Sequence, residues 1–236
     1  MPFDYAHTSG PFTDGQGRAP ARMVLRQVGD NDFALLEDLR YDNDGDSVAI
    51  STKELQRTNL ATIPTWLGWF MRRHGRHTAS ALMHDQQVGE SSGTRVSYEE
   101  RVAADRRFRL ALRASGVPPV RAGLMWAAVT LATRRSETDR FVLLLSWLVT
   151  GLLGMALLGW GSANGNWWAI VVAVLLPFPA ALLWERQWRA GLIAGPALPF
   201  VILGSVPGVF AYLVYMGFEA AWSLQSKQPP PRFDER

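Results

Sequence analysis

The sequence predicts a small α+β N-terminal domain, made of short strands followed by helices, and an all-α membrane region of about three transmembrane helices. Charge divides the chain of 236 residues: residues 1–56 hold 5 basic and 10 acidic side chains, and residues 57–140 hold 14 and 7. Residues 141–226 hold only two of each sign, which is typical of a membrane-spanning region. Short apolar stretches between turn residues come first and helical patterns follow, which indicates the α+β class.

The first half of the domain is predicted as an arm followed by strands. Residues 1–20 are rich in Gly, Pro, Asp and Thr and lack periodicity, so they predict a loose arm ahead of a domain over 21–135. Met23–Val28, Phe33–Tyr41 and Ser47–Ser51 are short apolar stretches, and each is expected to form a strand. The acidic cluster before the last of these strands indicates a polar hairpin turn.

Three helices are expected to complete this domain. His77–Val88 and Val120–Thr133 have helical apolar patterns. Ser97-Tyr-Glu-Glu is a capping box, in which the serine and the glutamate each bond to the other's backbone amide. It opens a predicted helix over Tyr98–Ser115, and Gly116-Val-Pro-Pro ends that helix.

Three apolar stretches predict the transmembrane helices. Phe141–Gly161 and Trp167–Trp184 are free of charge and long enough to cross about 30 Å of hydrocarbon. Leu192–Trp222 is too long for one straight crossing and contains several Pro and Gly residues. It forms either one crossing after a broken segment or a re-entrant hairpin, and residues 223–236 follow as a polar tail.

Arginine flanks predict the orientation. Arg134, Arg135 and Arg140 precede the first span, Arg186 and Arg189 follow the second, and the loop between the spans is uncharged. The positive-inside rule then places the N-terminal domain in the cytoplasm. The expected location is a bacterial cytoplasmic (inner) membrane, and its bacterial part rests on the family resemblance described below. The tail lies outside after three crossings and inside if the third segment re-enters.

The basic balance of residues 57–140 has two interpretations, nucleic acid binding or contact with an anionic leaflet. The membrane anchor favours the leaflet, so no nucleic acid partner is expected, and an ordinary solvated face remains the simpler alternative. The candidates for headgroup contact are Arg72, Arg73, Arg76, Arg106, Arg107, Arg109, Arg134 and Arg135.

Three side chains form the candidate chemical site. His84 and Asp85 are adjacent on one predicted helix, and Asp105 lies midway along the next. If the two helices are antiparallel, Asp105 faces His84 or Asp85 and can hold one imidazole nitrogen, which leaves the other as a base or metal ligand. The alternative is a structural pair, with Asp105 bound to Arg101 or Arg109 instead. The absence of cysteine excludes thiolate metal sites and cysteine nucleophiles.

Several motifs together resemble a known family. FALLEDLRY (33–41), TNLATIP (58–64), ALMHD (81–85) and YEERVAADRRFRLALRASGV (98–117) occur in this order. They resemble the bacterial and phage family called domain of unknown function 1353, over about residues 30–130. The resemblance groups Asn59 with His84, Asp85 and Asp105. Two positions depart from the family pattern: Asn59 replaces an Asp, and the Tyr expected after His-Asp is missing or is Val88.

The His84-Asp85 motif gives a weaker similarity to secretory phospholipases. Those enzymes also place His-Asp-x-x-Tyr on one helix and an Asp on its antiparallel partner, and there the His activates water while the adjacent Asp binds calcium. This similarity implies a divalent cation at Asp85, and the family grouping adds His84 and Asn59 as its other ligands. The uncharged Asn59 weakens such a site, and the chain lacks the cysteines and the glycine loop of those enzymes.

Three functions are compatible with this pattern. The first is an accessory or scaffold subunit of a membrane assembly, whose partners are the lipid bilayer and other membrane-protein subunits. The second is a membrane-associated hydrolase of lipid or cell-envelope substrates that uses His84, Asp85 and Asp105. The third, a small transporter component, is disfavoured because the spans contain few polar groups.

Overall fold

The computed structural model describes residues 3–5, 10–19, 23–29, 32–58, 75–89 and 96–226. In this part of the chain, short strands precede a series of helices, as the sequence predicts. The strands are β1 (Phe3–Tyr5), β2 (Phe12–Asp14), β3 (Met23–Gln27), β4 (Phe33–Leu35), β5 (Leu39–Asn43) and β6 (Asp46–Ile50). They form two antiparallel three-stranded sheets, with the orders β1-β3-β4 and β2-β5-β6.

The N-terminal segment is not the loose arm that composition predicts, because it supplies one strand to each sheet. Phe12 pairs with Tyr41 in the β2–β5 ladder, and the two rings lie 5.4 Å apart in the core. Gly10 lies against the C-terminal end of the helix that spans Tyr98–Ala114. A Cβ added at Gly10 would be 2.5 Å from the Ala114 carbonyl oxygen. Long-range burial of one phenylalanine therefore outweighs the turn-forming composition of the segment.

The predicted strand Phe33–Tyr41 is two strands in different sheets. β4 pairs with β3, and β5 pairs with β6, so the chain changes sheet between Leu35 and Leu39. Asp38 in this connection accepts a hydrogen bond from the Thr52 amide, which holds the pKa of its carboxyl below its ordinary value. The acidic cluster is the predicted hairpin turn: Asp44 and Gly45 both have positive φ between β5 and β6.

Three helices follow the sheets, and the first two pack against the strands. They are α1 (Thr78–Gln87), α2 (Tyr98–Ala114) and α3 (Pro119–Arg135). Ser97 caps α2 through the capping box with Glu100, as predicted. One hydrophobic core joins the strands to α1, and a second joins α1, α2 and α3 through residues such as Phe108 and Leu112.

The rest of the described chain is helical and apolar. It comprises α4 (Thr138–Ala163), α5 (Trp167–Leu175), α6 (Pro177–Ala180), a 3-10 helix (Ala181–Gln187) and α7 (Trp188–Ser226). Two stretches of the described chain, Asp139–Ala163 and Trp167–Trp222, are long and apolar enough to cross a membrane. The predicted second and third spans therefore lie in one long helical run, and three separate crossings are not resolved.

The long helical run is kinked rather than divided. Glu185 has a φ of 50° just before α7 begins, and the predicted prolines near 177 coincide with the change from α5 to α6. Leu192–Trp222 was expected to be broken or re-entrant, but it lies inside the continuous helix α7, which contains Pro196, Pro199 and Pro207. Prolines are tolerated in apolar helices whose neighbours and side chains satisfy the freed carbonyls.

Glycines allow α7 to approach its neighbours closely. A Cβ on Gly191 would lie 2.8 Å from the ring of Trp184, and one on Gly195 would lie 2.8 Å from Pro177. A Cβ on Gly151 of α4 would lie 2.5 Å from Leu198. Small residues of this kind are typical of helix packing in membranes, where dense van der Waals contact replaces the hydrophobic effect.

Candidate functional site

The candidate site lies between α1 and α2, as the sequence predicts. Nε2 of His84 is 2.8 Å from Oδ1 of Asp105, and the His84 ring lies 5.1 Å from that of Phe108. Both polar residues are buried, with His84 8% and Asp105 0% exposed. Asp105 is thus paired with His84 and not with Arg101 or Arg109, its neighbours one turn away on α2.

This geometry defines the chemistry open to the imidazole. The carboxylate of Asp105 holds Nε2 and so fixes the orientation of the ring. Nδ1 of His84 makes no hydrogen bond with any residue in the described part of the chain. A His-Asp pair with one imidazole nitrogen held and the other available is the arrangement that general bases use.

No sequence motif indicates Gln187, which holds the second carboxylate oxygen of Asp105. Nε2 of Gln187, at the end of the 3-10 helix, donates to Asp105 Oδ2 at 3.4 Å. Its Oε1 accepts from the hydroxyl of Tyr98 at 3.2 Å. A chain of hydrogen bonds, buried at His84 and Asp105 and partly buried at Tyr98, therefore runs from His84 through Asp105 and Gln187 to Tyr98 and connects the N-terminal domain to the apolar helices. Gln187 is a lone polar residue next to a charged pair, so no local motif indicates this role.

Asp85 points to a different partner. Its Oδ2 accepts a hydrogen bond from the hydroxyl of Thr58 at 2.7 Å, in buried surroundings. Asn59, the third predicted metal ligand, lies outside the described residues. Among the residues that are described, no group of three or more His, Asp and Glu side chains is placed to hold a metal ion.

Arg134, a predicted headgroup contact, has a fully buried side chain and is therefore not accessible to a headgroup. Its two terminal nitrogens donate to the carbonyl oxygens of Leu183 at 2.8 Å and of Trp184 at 3.0 Å. These carbonyls belong to the 3-10 helix, beside the kink at Glu185. Desolvation lowers the pKa of Arg134 from its ordinary value, yet arginine remains charged at neutral pH.

The other predicted headgroup arginines have diverse environments. Arg135 and Arg76 are exposed, and Arg76 donates to the Gly116 carbonyl oxygen. Arg107 forms an ion pair of 2.6 Å with Asp46. Arg72 and Arg73 lie outside the described residues.

Charged side chains also connect α2 and α4 to the kink. Arg140 pairs with Glu185, and its guanidinium lies 4.1 Å from the ring centre of Tyr98. Arg186 approaches Glu99 at 3.6 Å. The start of α2 is therefore tied to the kink by the Arg186–Glu99 ion contact and the partly buried Tyr98–Gln187 bond, and α4 is tied to it by the Arg140–Glu185 pair.

A comparison with known protein families finds a match for the segment that contains the candidate site. Residues 33–129 match the model of a family described as "Protein of unknown function (DUF1353)". No curated protein and no solved structure matches the chain. The match covers His84, Asp85 and Asp105, but Gln187 and the apolar helices α4 to α7 lie beyond it. The segment that holds the His84–Asp105 pair is therefore similar to this domain of unknown function.

Proposed function

We propose that the chain is a membrane-anchored accessory or scaffold subunit of a bacterial membrane assembly. The exposure of its apolar helices carries this proposal. Only 17% of the most apolar window of Asp139–Ala163 and 28% of that of Trp167–Trp222 are buried within the fold. A core helix of a soluble protein buries most of its apolar surface, so these faces need lipid or partner helices to cover them.

The contacts between the N-terminal domain and the apolar helices support a scaffold function. The buried hydrogen bonds through Gln187, the Arg134 contacts and the Arg140–Glu185 pair all hold the N-terminal domain against the kink. A domain attached in this way has a fixed orientation relative to its anchor. Fixed orientation suits a subunit that presents a surface to partners at the membrane.

Extraction and purification test this proposal. We expect the full chain to stay in the membrane pellet after carbonate washing and to co-purify with a stoichiometric partner in mild detergent. Release into the carbonate supernatant would contradict the anchor. Retention in the membrane with no stoichiometric partner would contradict the scaffold role but not the membrane anchor.

Cysteine labelling tests the proposed cytoplasmic orientation, because the chain has no cysteine of its own. Ala163→Cys places a thiol at the exposed end of α4, and Glu137→Cys places one at the exposed start of the same helix. In intact spheroplasts, a membrane-impermeant maleimide should label position 163 and spare position 137. The reverse pattern would contradict the orientation while leaving the anchor intact.

A hydrolase is the second candidate function, and the available Nδ1 of His84 favours it. In this mechanism Nδ1 takes a proton from water as the water oxygen attacks an ester or amide carbonyl, and Asp105 holds the imidazolium that forms. The imidazolium then gives the proton to the departing alcohol or amine as the carbonyl carbon–oxygen or carbon–nitrogen bond breaks. The substrates would be phospholipids or cell-envelope polymers, reached at the membrane surface.

Replacing His84 separates the two functions. If the pair is structural, His84→Ala leaves Asp105 without its buried partner and lowers the free energy of unfolding by about 1–3 kcal/mol. If the pair is catalytic, the variant should melt near the wild-type temperature and lose hydrolysis of phospholipids or peptidoglycan fragments. Absence of hydrolysis by the wild type in both assays, with and without added calcium, would leave the scaffold function.

A further inference from the structure

We infer that Arg109, Arg113 and Arg189 form a binding site for the phosphate of an anionic phospholipid headgroup, at the junction of α2, α3 and α7. This inference rests on the proposed membrane anchoring and gives the membrane surface of the protein a specific ligand. It joins two arginines of the N-terminal domain to one from the first turn of α7.

Packing between α3 and α7 brings the three side chains together. The guanidinium of Arg109 lies 4.1 Å from the ring centre of Trp126 on α3. Trp126 shares a hydrophobic cluster with Ala190, the residue after Arg189. A Cβ on Gly123, one turn before Trp126, would lie 3.2 Å from Ile193, one turn after Arg189. Arg113 follows Arg109 by one turn on the same face of α2.

The three guanidinium groups lack an acidic counter-charge. In the part of the chain that the structure describes, none of them forms an ion pair with Asp or Glu. Partial burial, together with the positive charges of Arg113 and Arg189, lowers the pKa of Arg109 from its ordinary value. Like charges held close together are unfavourable unless an anion neutralises them, so the arrangement is suited to a phosphate.

The position of the cluster favours a lipid as the source of that phosphate. Arg189 lies in the first turn of α7, just before the apolar stretch that begins at Leu192. Trp188 beside it is 40% exposed, and its ring lies 5.5 Å from the Arg189 guanidinium. Tryptophan and arginine at the end of an apolar helix are typical of the headgroup level, where acyl chains can lie along α7.

Lipid retention tests this inference in the full chain. The protein is reconstituted in nanodiscs of phosphatidylcholine and phosphatidylglycerol, released into mild detergent and examined by native mass spectrometry. We expect one phosphatidylglycerol to remain on the wild type. The variant Arg109→Gln, Arg113→Gln, Arg189→Gln should retain at least tenfold less, since each arginine near an anionic surface contributes about fivefold in affinity.

A matched variant controls for the loss of three charges. Arg26, Arg101 and Arg121 lie outside the cluster, so their replacement by Gln should leave phosphatidylglycerol retention unchanged. Equal retention by the cluster variant and the wild type would overturn the inference, as would equal loss in the control variant. Thermal unfolding of both variants in detergent shows whether they are folded; if the cluster variant does not fold, Arg113→Gln alone, at an exposed position, replaces it.

Inorganic phosphate distinguishes the two sources of the ligand. If the site takes a headgroup, millimolar phosphate should not raise the unfolding temperature of delipidated protein, whereas phosphatidylglycerol should. Stabilisation by phosphate without retention of lipid would overturn the lipid inference. Carbonate extraction of the same variants reports on the anchor independently, so failure of the headgroup site and failure of membrane anchoring give different results.

Discussion

Replacement of Arg134 by leucine should destabilise the protein severely, whereas the same change at Arg135 should not. The two arginines are adjacent and carry the same charge, but Arg134 is fully buried and Arg135 is exposed. Leucine at 134 removes both donors from the carbonyl oxygens of Leu183 and Trp184. These carbonyls lie in the kinked 3-10 helix, where backbone amides do not replace the lost donors in full.

The expected magnitude follows from the contacts. Each buried carbonyl left without a donor costs about 1–3 kcal/mol. The two carbonyls together therefore cost about 2–6 kcal/mol, since Glu185 keeps its second partner Arg140. At about 2–4 °C per kcal/mol for a chain of this size, the unfolding temperature should fall by roughly 4–24 °C.

Intrinsic tryptophan fluorescence in one fixed detergent measures this change. Trp184 lies 5.8 Å from the Arg134 guanidinium, so its environment reports on the loss of the contact. Arg134→Lys should give an intermediate drop, because one ammonium keeps the charge but cannot reproduce the two-armed guanidinium contact. Equal unfolding temperatures for Arg134→Leu and Arg135→Leu would refute the assignment of Arg134 as a buried structural residue.

Two further changes test the helices. Gly191→Ala should destabilise the protein by about 1–3 kcal/mol, because its Cβ would lie 2.8 Å from the Trp184 ring, whereas Gly159→Ala meets nothing within 4 Å and should be neutral or stabilising. Thermal unfolding of the pair measures the difference, and equal effects would contradict the close approach of α7. Ser97→Ala should cost about 1 kcal/mol at pH 7 through loss of the capping box. Hydrogen bonds from Ser97 lower the pKa of Glu100 below its ordinary 4.5, so this stabilisation is present above pH 4.5 and is lost as pH falls through the lowered pKa. The difference between wild type and Ser97→Ala should therefore narrow in acid, and a constant difference would contradict the role of Glu100.

Local signals in the sequence were sufficient for several features. The capping box at Ser97 and the polar turn at Asp44-Gly45 both depend on residues within a few positions of one another. The spacing on two helices joined by a short connection predicted that Asp105 faces His84 or Asp85, and the structure pairs it with His84 at 2.8 Å. Composition alone indicated the apolar C-terminal helices.

The remaining features required the tertiary structure, because they depend on contacts between distant segments. Composition could not show that Phe12 would be buried against Tyr41, and hence that the expected arm would form strands. Arg134 and Arg135 are identical in local sequence terms, and only the packing of α3 against the kink buries one of them and leaves the other in solvent. Gln187 reaches Asp105 across 82 positions of the chain. The sequence by itself thus determined the helices of the domain, the turns and the apolar character of the C-terminal helices through short-range propensity and hydropathy, whereas three-dimensional packing alone decided which polar side chains were desolvated and therefore had to find partners.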